Sequence, residues 1–273
     1  LFTLTGRLEN LIVSALDDVS LKAPNQYSLW TGAKMEYVFD SSKELATNLW
    51  HGSKLKIFAE YNQKIAKQHD NLIVLGFDFR KSVHLFRNMT WATRLAASTN
   101  FGVSRLVYFM GGVDNWIAPK FNSTIWVDQT KNYQYQTLAT SMRGFSQNTR
   151  NGTSFALLST ELRMPVVQLV TGKKISRPFF NSIQLIAFAD LGTAWTGLTP
   201  YSEENCLYTR YIDSGNIHAV VKRQVDPWII GVGAGLRASL LGYFLRFDYA
   251  WGIENFQVAD KKGMFLFSIG TDF

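Results

Sequence analysis

The sequence is short of what most soluble domains are rich in. Charged residues make up only 18% of it, against about a quarter in an ordinary globular domain. A single cysteine, Cys206, excludes an internal disulfide. No apolar run reaches about 18 residues, so no membrane-spanning helix can be drawn. The histidines (His51, His69, His84 and His218) are dispersed, with no zinc-like spacing. The run Gly231-Val232-Gly233-Ala234-Gly235 lacks the following helix and the spacing of a nucleotide loop; its glycines are expected to make room for a loop or to ease curvature. There is no internal repeat and no heptad. These absences lead us to expect no enzyme, no catalytic residues, no metal and no cofactor. A signal-peptide pattern is also missing at Leu1, and the first ten residues already read as a strand. The chain is therefore expected to be a fragment, a single domain over 1–273 that forms the C-terminal portion of something longer, without its first strands and any preceding domains.

What the sequence does have is aromatic residues, 14% of the total, set in strands of period two. In MFLFSIGTDF one row holds Phe265, Phe267, Ile269, Thr271 and Phe273, and the other holds Ser268, Gly270 and Asp272. GYFLRFDYAW places Tyr243, Leu245, Phe247, Tyr249 and Trp251 against Arg246 and Asp248. A charged pair inside an apolar run is hard to place in a soluble core. It costs little where one face meets lipid and the other a polar lumen. WIIGVGAGLRAS sets Ile230, Val232, Ala234 and Leu236 against three glycines and Arg237. SIQLIAFADLGTAW puts Gln184, Phe188, Asp190 and Gly192 on one side, and SFALLSTELRM does the same with Ser159, Glu161 and Arg163. Earlier segments turn inward Arg94 and Ser98, Asp78 and Arg80, Lys56 and Glu60, and Lys34 and Glu36. With LFTLTGRLEN this makes about ten strands of a transmembrane antiparallel up-and-down β-barrel. A soluble sandwich or lipocalin-like barrel also alternates, but its exposed faces are polar; here the face opposite the charged row is the apolar one.

Connection lengths follow the same logic. Membrane barrels alternate short periplasmic turns with longer external loops. Thr196–Pro227 and Gly102–Gly152 are the long links, whereas Leu240–Gly242 and His84–Asn88 are tight. Ser41–Ser53 is longer than the rule predicts for its side. The formal charge of +7 is scattered rather than striped, which argues against a nucleic-acid partner. Lipopolysaccharide phosphates or a basic lumen account for it equally well.

Four separated signals resemble the BamA/TamA superfamily of outer-membrane insertases and translocases, the bacterial surface antigen family. Met142-Arg143-Gly144-Phe145 looks like the family's Val-Arg-Gly-Phe/Tyr motif, in an external loop that folds back into the lumen. SFALLSTELRMPV is similar to the strand that follows it, with Glu161, Arg163 and Pro165 in matching places. FADLGTAW matches the Phe-x-Asp-x-Gly strand through Phe188, Asp190 and Gly192. The glycine-rich strand, GYFLRFDYAW and a terminal strand ending in Phe273 complete the set. The resemblance runs over roughly Gly111–Phe273. One departure stands out: the family passes from a Gly-Gly pair almost directly to Arg-Gly, but here residues 113–141 separate Gly111-Gly112 from the motif.

The resemblance implies a sixteen-stranded barrel in the bacterial outer membrane, of which this chain supplies the C-terminal part. It implies a role in inserting or transporting proteins there. The implied partners are outer-membrane lipid and lipopolysaccharide, substrate proteins, and accessory outer-membrane or lipoprotein subunits. Two other functions stay open at this point: a barrel anchor or conduit for a fused periplasmic propeller or lipase-like domain, and a passive channel. An Arg side chain is a planar fork suited to carboxylates, so Arg143 is expected to reach Asp190 and Glu161 from a loop inside the lumen; the plainer alternative is a solvated loop charge. Gly144 would permit close backbone approach, and Phe145 would pack against Phe188 or the gap at Gly192. Phe265, Phe267, Ile269 and Phe273 fit a C-terminal insertion signal as well as a lipid-facing row. The terminal strand would meet the first strand at a seam weakened by Gly263 and Gly270.

Overall fold

The computed structural model describes residues 1–13, 26–46, 49–66, 70–86, 89–125, 127, 133–172, 178–202, 205, 207–214, 217–240 and 243–270. Ten long strands form one antiparallel wall: β1 (Phe2–Val13), β2 (Gln26–Asp40), β4 (Leu49–Lys64), β5 (Asn71–His84), β6 (Thr90–Gly102), β10 (Ser154–Pro165), β11 (Gln184–Trp195), β14 (Ile229–Leu240), β15 (Tyr243–Glu254) and β17 (Met264–Gly270). Two short strands join the same sheet, β3 (Lys43–Ala46) against β4 and β16 (Gln257–Val258) against β15. Each long strand pairs with its neighbours in chain order, the up-and-down pattern expected from the sequence. The remaining strands belong to the two long links. β7 (Arg105–Met110), β8 (Tyr133–Leu138) and β9 (Arg150–Gly152) form a small sheet in the first, and β12 (Leu207–Ser214) and β13 (Ile217–Gln224) form a hairpin in the second.

Alternation along each strand sorts the side chains onto two faces. One face is apolar and exposed: Met35, Tyr37, Ile57, Leu75, Trp91, Leu95, Leu158, Leu185, Leu236, Tyr249 and Phe265 are all at least 40% accessible. On the other face Glu60, Asn62, Ser98, Ser159, Glu161, Arg163, Asp190, Arg237, Asp248 and Ser268 are buried. The wall thus has one greasy, exposed face and one face that holds its buried polar and charged side chains. A wall solvated by hydrocarbon needs that inversion, whereas a wall in water would expose a large aggregation-prone apolar surface.

Two links differ from the expected short turns. The Ser41–Ser53 segment is a hairpin extension: β3 folds back on the start of β4, and the Ser41 amide donates to the Ser53 carbonyl at 2.9 Å. Between β10 and β11 the chain forms the short helices α1 (Val166–Thr171) and α2 (Pro178–Asn181). None of the described helices is long and apolar enough to cross a membrane.

The first long link folds onto the inner face. There Met110, Met142 and Phe145 join Leu72, Val74, Tyr108, Phe155 and Leu157 in one buried apolar cluster. Asn100 fixes the base of this loop: it donates to the Leu106 and Thr153 carbonyls (3.0 and 2.7 Å) and accepts from the Leu106 amide (2.9 Å). A buried amide satisfied in this way specifies one path for the loop.

Candidate functional site

Strand register sets the site. Ser159 on β10 lies opposite Asp190 on β11, Asp190 opposite Gly231 on β14, and Gly231 opposite Gly252 on β15. A single row across four strands therefore presents a hydroxyl, a carboxylate and then two positions without side chains. The next row carries Glu161 beside Phe188, and Phe188 beside Gly233.

Arg143 and Gly144 lie along this floor. Arg143 Nε donates to Asp190 Oδ2 at 2.7 Å and Nη2 to Asp190 Oδ1 at 2.6 Å, a fork-on-fork geometry. The Arg143 backbone amide adds a third bond to Asp190 at 3.2 Å. Nη1 donates to Glu161, and Nη2 also donates to Ser159 Oγ at 3.1 Å. Ser159 in turn donates to Asp190 Oδ1 at 2.6 Å. The guanidinium stacks on Phe188, its carbon 3.7 Å from the ring centroid, a contact that favours Arg over Lys.

Glycine makes this approach possible. A Cβ on Gly231 would sit 2.0 Å from the Arg143 carbonyl oxygen, and one on Gly144 would sit 2.8 Å from the Gly252 amide nitrogen. Gly144 also has φ of 87°, which a side chain would strain.

The cluster is balanced in charge. Arg143, Arg163 and Arg237 face Asp190, Glu161 and Asp248, and all six are buried. Arg163 reaches Glu161 at 2.9 Å, and Arg237 reaches Asp248 at 2.5 Å and Glu161 at 3.9 Å. Burying ions is costly unless each is paired. An equal number of cations and anions within direct reach makes the cluster tolerable, and the gain is in position more than in net stability. The carboxylates are engaged by arginine, and the described residues hold no group of three or more His, Cys, Asp or Glu arranged for a metal.

Other expected residues sit differently. Phe145 joins Met110, Met142 and Leu157, the residues nearest Gly192, in one buried cluster, whereas Phe188 belongs to the other. The Phe145 ring edge lies 2.6 Å from where a Cβ on Gly252 would be, and the Met110 and Met142 sulfurs lie 3.3 Å from the same point on Gly192. Phe188 carries the stack with Arg143. Gly263 turns at φ of 68° just before β17, whereas Gly270 is part of the strand and pairs with Phe244. Phe265, Phe267 and Ile269 fall on the outward row, with Phe267 stacked on Phe247 at 4.6 Å, and Leu266 and Ser268 are buried inward. Phe273 lies outside the described residues, as does Cys206.

Reasoning from motifs alone did not single out Ser159, Arg237, Asp248 or Gly252 as part of this site, whereas the glycine run starting at Gly231 was expected to make room for a loop, as it does for Arg143. Their inward parity was legible, but their adjacency to Asp190 depends on register. The separation between Gly111-Gly112 and Arg143 has a simple structure. Gly112 and Met142 form an antiparallel bridge, the Met142 amide donating to the Gly112 carbonyl at 2.7 Å. The Asp114 amide donates to Ser141 Oγ at 3.0 Å, and that hydroxyl donates to Asp114 Oδ2 at 2.8 Å. The insertion leaves and returns at one point, so the motif follows the glycine pair in space although not in sequence.

A family model described as the Omp85 superfamily domain matches residues 50–273. No curated protein matches the chain.

Proposed function

The chain belongs to the Omp85 superfamily, and from that premise we propose that it forms the C-terminal part of a sixteen-stranded outer-membrane barrel that inserts or translocates other proteins. The superfamily's general role is outer-membrane protein assembly, and membership implies an outer-membrane location. The observation that carries the reading to this chain is the Arg143 loop, held against the inner wall by Asp190 and Glu161. A loop buried in the lumen restricts free diffusion, which disfavours a passive channel. It leaves the wall itself as the working surface, with outer-membrane lipid around it and substrate proteins as cargo. Arg143, Gly144, Phe145, Glu161, Arg163, Phe188, Asp190 and Gly192 are then structural parts of a gate, and the outward row Phe265, Phe267 and Ile269 belongs to the strand through which the barrel itself is recognised and inserted. No cofactor takes part, and the reading includes no catalysis.

Reconstitution tests this proposal. Full-length protein in liposomes of outer-membrane composition should speed the folding of a urea-denatured small outer-membrane barrel several-fold over empty liposomes. The speed should fall when the loop is released by Asp190→Ala. No acceleration, together with ion conductance unchanged by removing the loop, would favour the passive channel and sink the insertase reading.

A further inference from the structure

The branch between Gly112 and Arg143 is used by neither the arginine contacts nor the glycine floor, yet it makes a specific contact of its own. After the Asp114–Ser141 closure, Asn115 takes φ of 55° and turns the chain toward the last strand. Asn is among the few residues that adopt this conformation readily. Trp116 then forms an antiparallel bridge with Ser268, and the Ile117 amide donates to the Phe267 carbonyl at 3.0 Å. β15 occupies one edge of β17, so this segment lies along the other.

Side chains reinforce the backbone contact. Val113 is buried with Leu266, Ile186, Phe188 and Ala250, and Trp116 packs on the same cluster. Gly270 leaves a gap beside the Asn115 side chain, whose Nδ2 lies 2.6 Å from where a Cβ would be. Backbone pairing, apolar anchoring and a fitted gap all place residues 113–117 at one edge.

An unpaired strand edge is a template for any extended chain that reaches it. We infer that residues 113–117 are a strap that occupies the outer edge of β17 as a surrogate strand. A strand arriving at that edge, whether from elsewhere in the barrel or from another protein, must displace Trp116 and Ile117 first. The contact lies within the chain itself, so it stands or falls separately from the insertase reading.

Cysteine cross-linking in the full-length protein tests the strap. The Ile117 bond flanks the Trp116–Ser268 pair, so that pair is of the close, non-hydrogen-bonded kind, with Cα atoms about 4.5 Å apart, within disulfide reach. In a Cys206→Ser background, Trp116→Cys with Ser268→Cys should cross-link at least about tenfold more than Trp116→Cys with Phe265→Cys, whose second thiol faces outward. Heat-modifiable migration on gels identifies the folded barrel. A second measurement avoids any distortion from the paired thiols. Ser268→Cys alone should react slowly with a maleimide, because Ser268 is 2% exposed. Adding Ile117→Pro, which removes the donated N–H, should speed labelling about tenfold, as expected for loss of a buried hydrogen bond. Folded protein in which cross-linking equals the control, or in which Ile117→Pro leaves labelling unchanged, overturns the strap.

Discussion

Two regions of the wall carry the same sequence pattern and very different physics. On β2 and β4 the inward row forms an open ladder: Lys34 meets Glu36 at 3.2 Å and Lys56 meets Glu36 at 3.0 Å, with side chains 22%, 23% and 42% exposed. On β10 and β11 the inward row meets the loop, and the side chains of Glu161, Asp190 and Arg143 are 3%, 1% and 6% exposed. Both regions alternate apolar-out and charged-in. Coverage separates them, because exposed ion pairs contribute about 0–1 kcal/mol, whereas leaving one buried partner alone costs about 3–5 kcal/mol. Alternation places charges on a face, and a loop that covers the face turns them into a site.

The sharpest way to break this contrast is Asp190→Ala. It leaves Arg143 buried without its forked partner, a cost of about 3–5 kcal/mol. Protease cleavage within 113–149 should rise more than about a hundredfold in the folded protein, provided cleavage follows the open population. A smaller effect is expected from Gly231→Ala, which changes no charge. Its methyl group would collide with the Arg143 carbonyl, and overpacking of this kind costs about 1–3 kcal/mol, so the same cleavage should rise by about tenfold or somewhat more. If Gly231→Ala is silent, the loop does not lie on the glycine floor. The smallest effect belongs to the open ladder. Lys34→Ala should cost less than about 1 kcal/mol in thermal or urea unfolding of the barrel, and what it does cost should shrink as salt is raised. A loss comparable to that of Asp190→Ala would erase the distinction between the two regions.

Much of this was legible in the sequence. The ten long strands match the ten alternating segments, because a wall with one polar and one apolar face writes its period of two directly into the chain. The inward parity of Asp190, Glu161 and Arg163 follows from the same rule. Ser159 was harder, since being a neighbour of Asp190 requires knowing which residues face each other across strands. The contact of Phe145 with the Gly252 position was hidden for the same reason, since it too depends on which residues lie opposite each other. The strap at Trp116 and Ile117 left no mark in the periodicity, since a single bridge between a loop and an edge has none. The strands inside the links were hidden for a related reason: they pair with each other and with the loop rather than alternate between lipid and lumen.

The central claim is that Arg143 and Asp190 act as one contact holding the loop to the wall, and a double-mutant cycle tests it most directly. Loop cleavage would be measured in folded full-length protein for Arg143→Ala, Asp190→Ala and the pair. The structure predicts that the double variant is cleaved no faster than the more sensitive single one, with a coupling of about 1–3 kcal/mol. Additive effects, with the double variant losing the sum of the two singles, would show that each residue acts alone and would contradict the account.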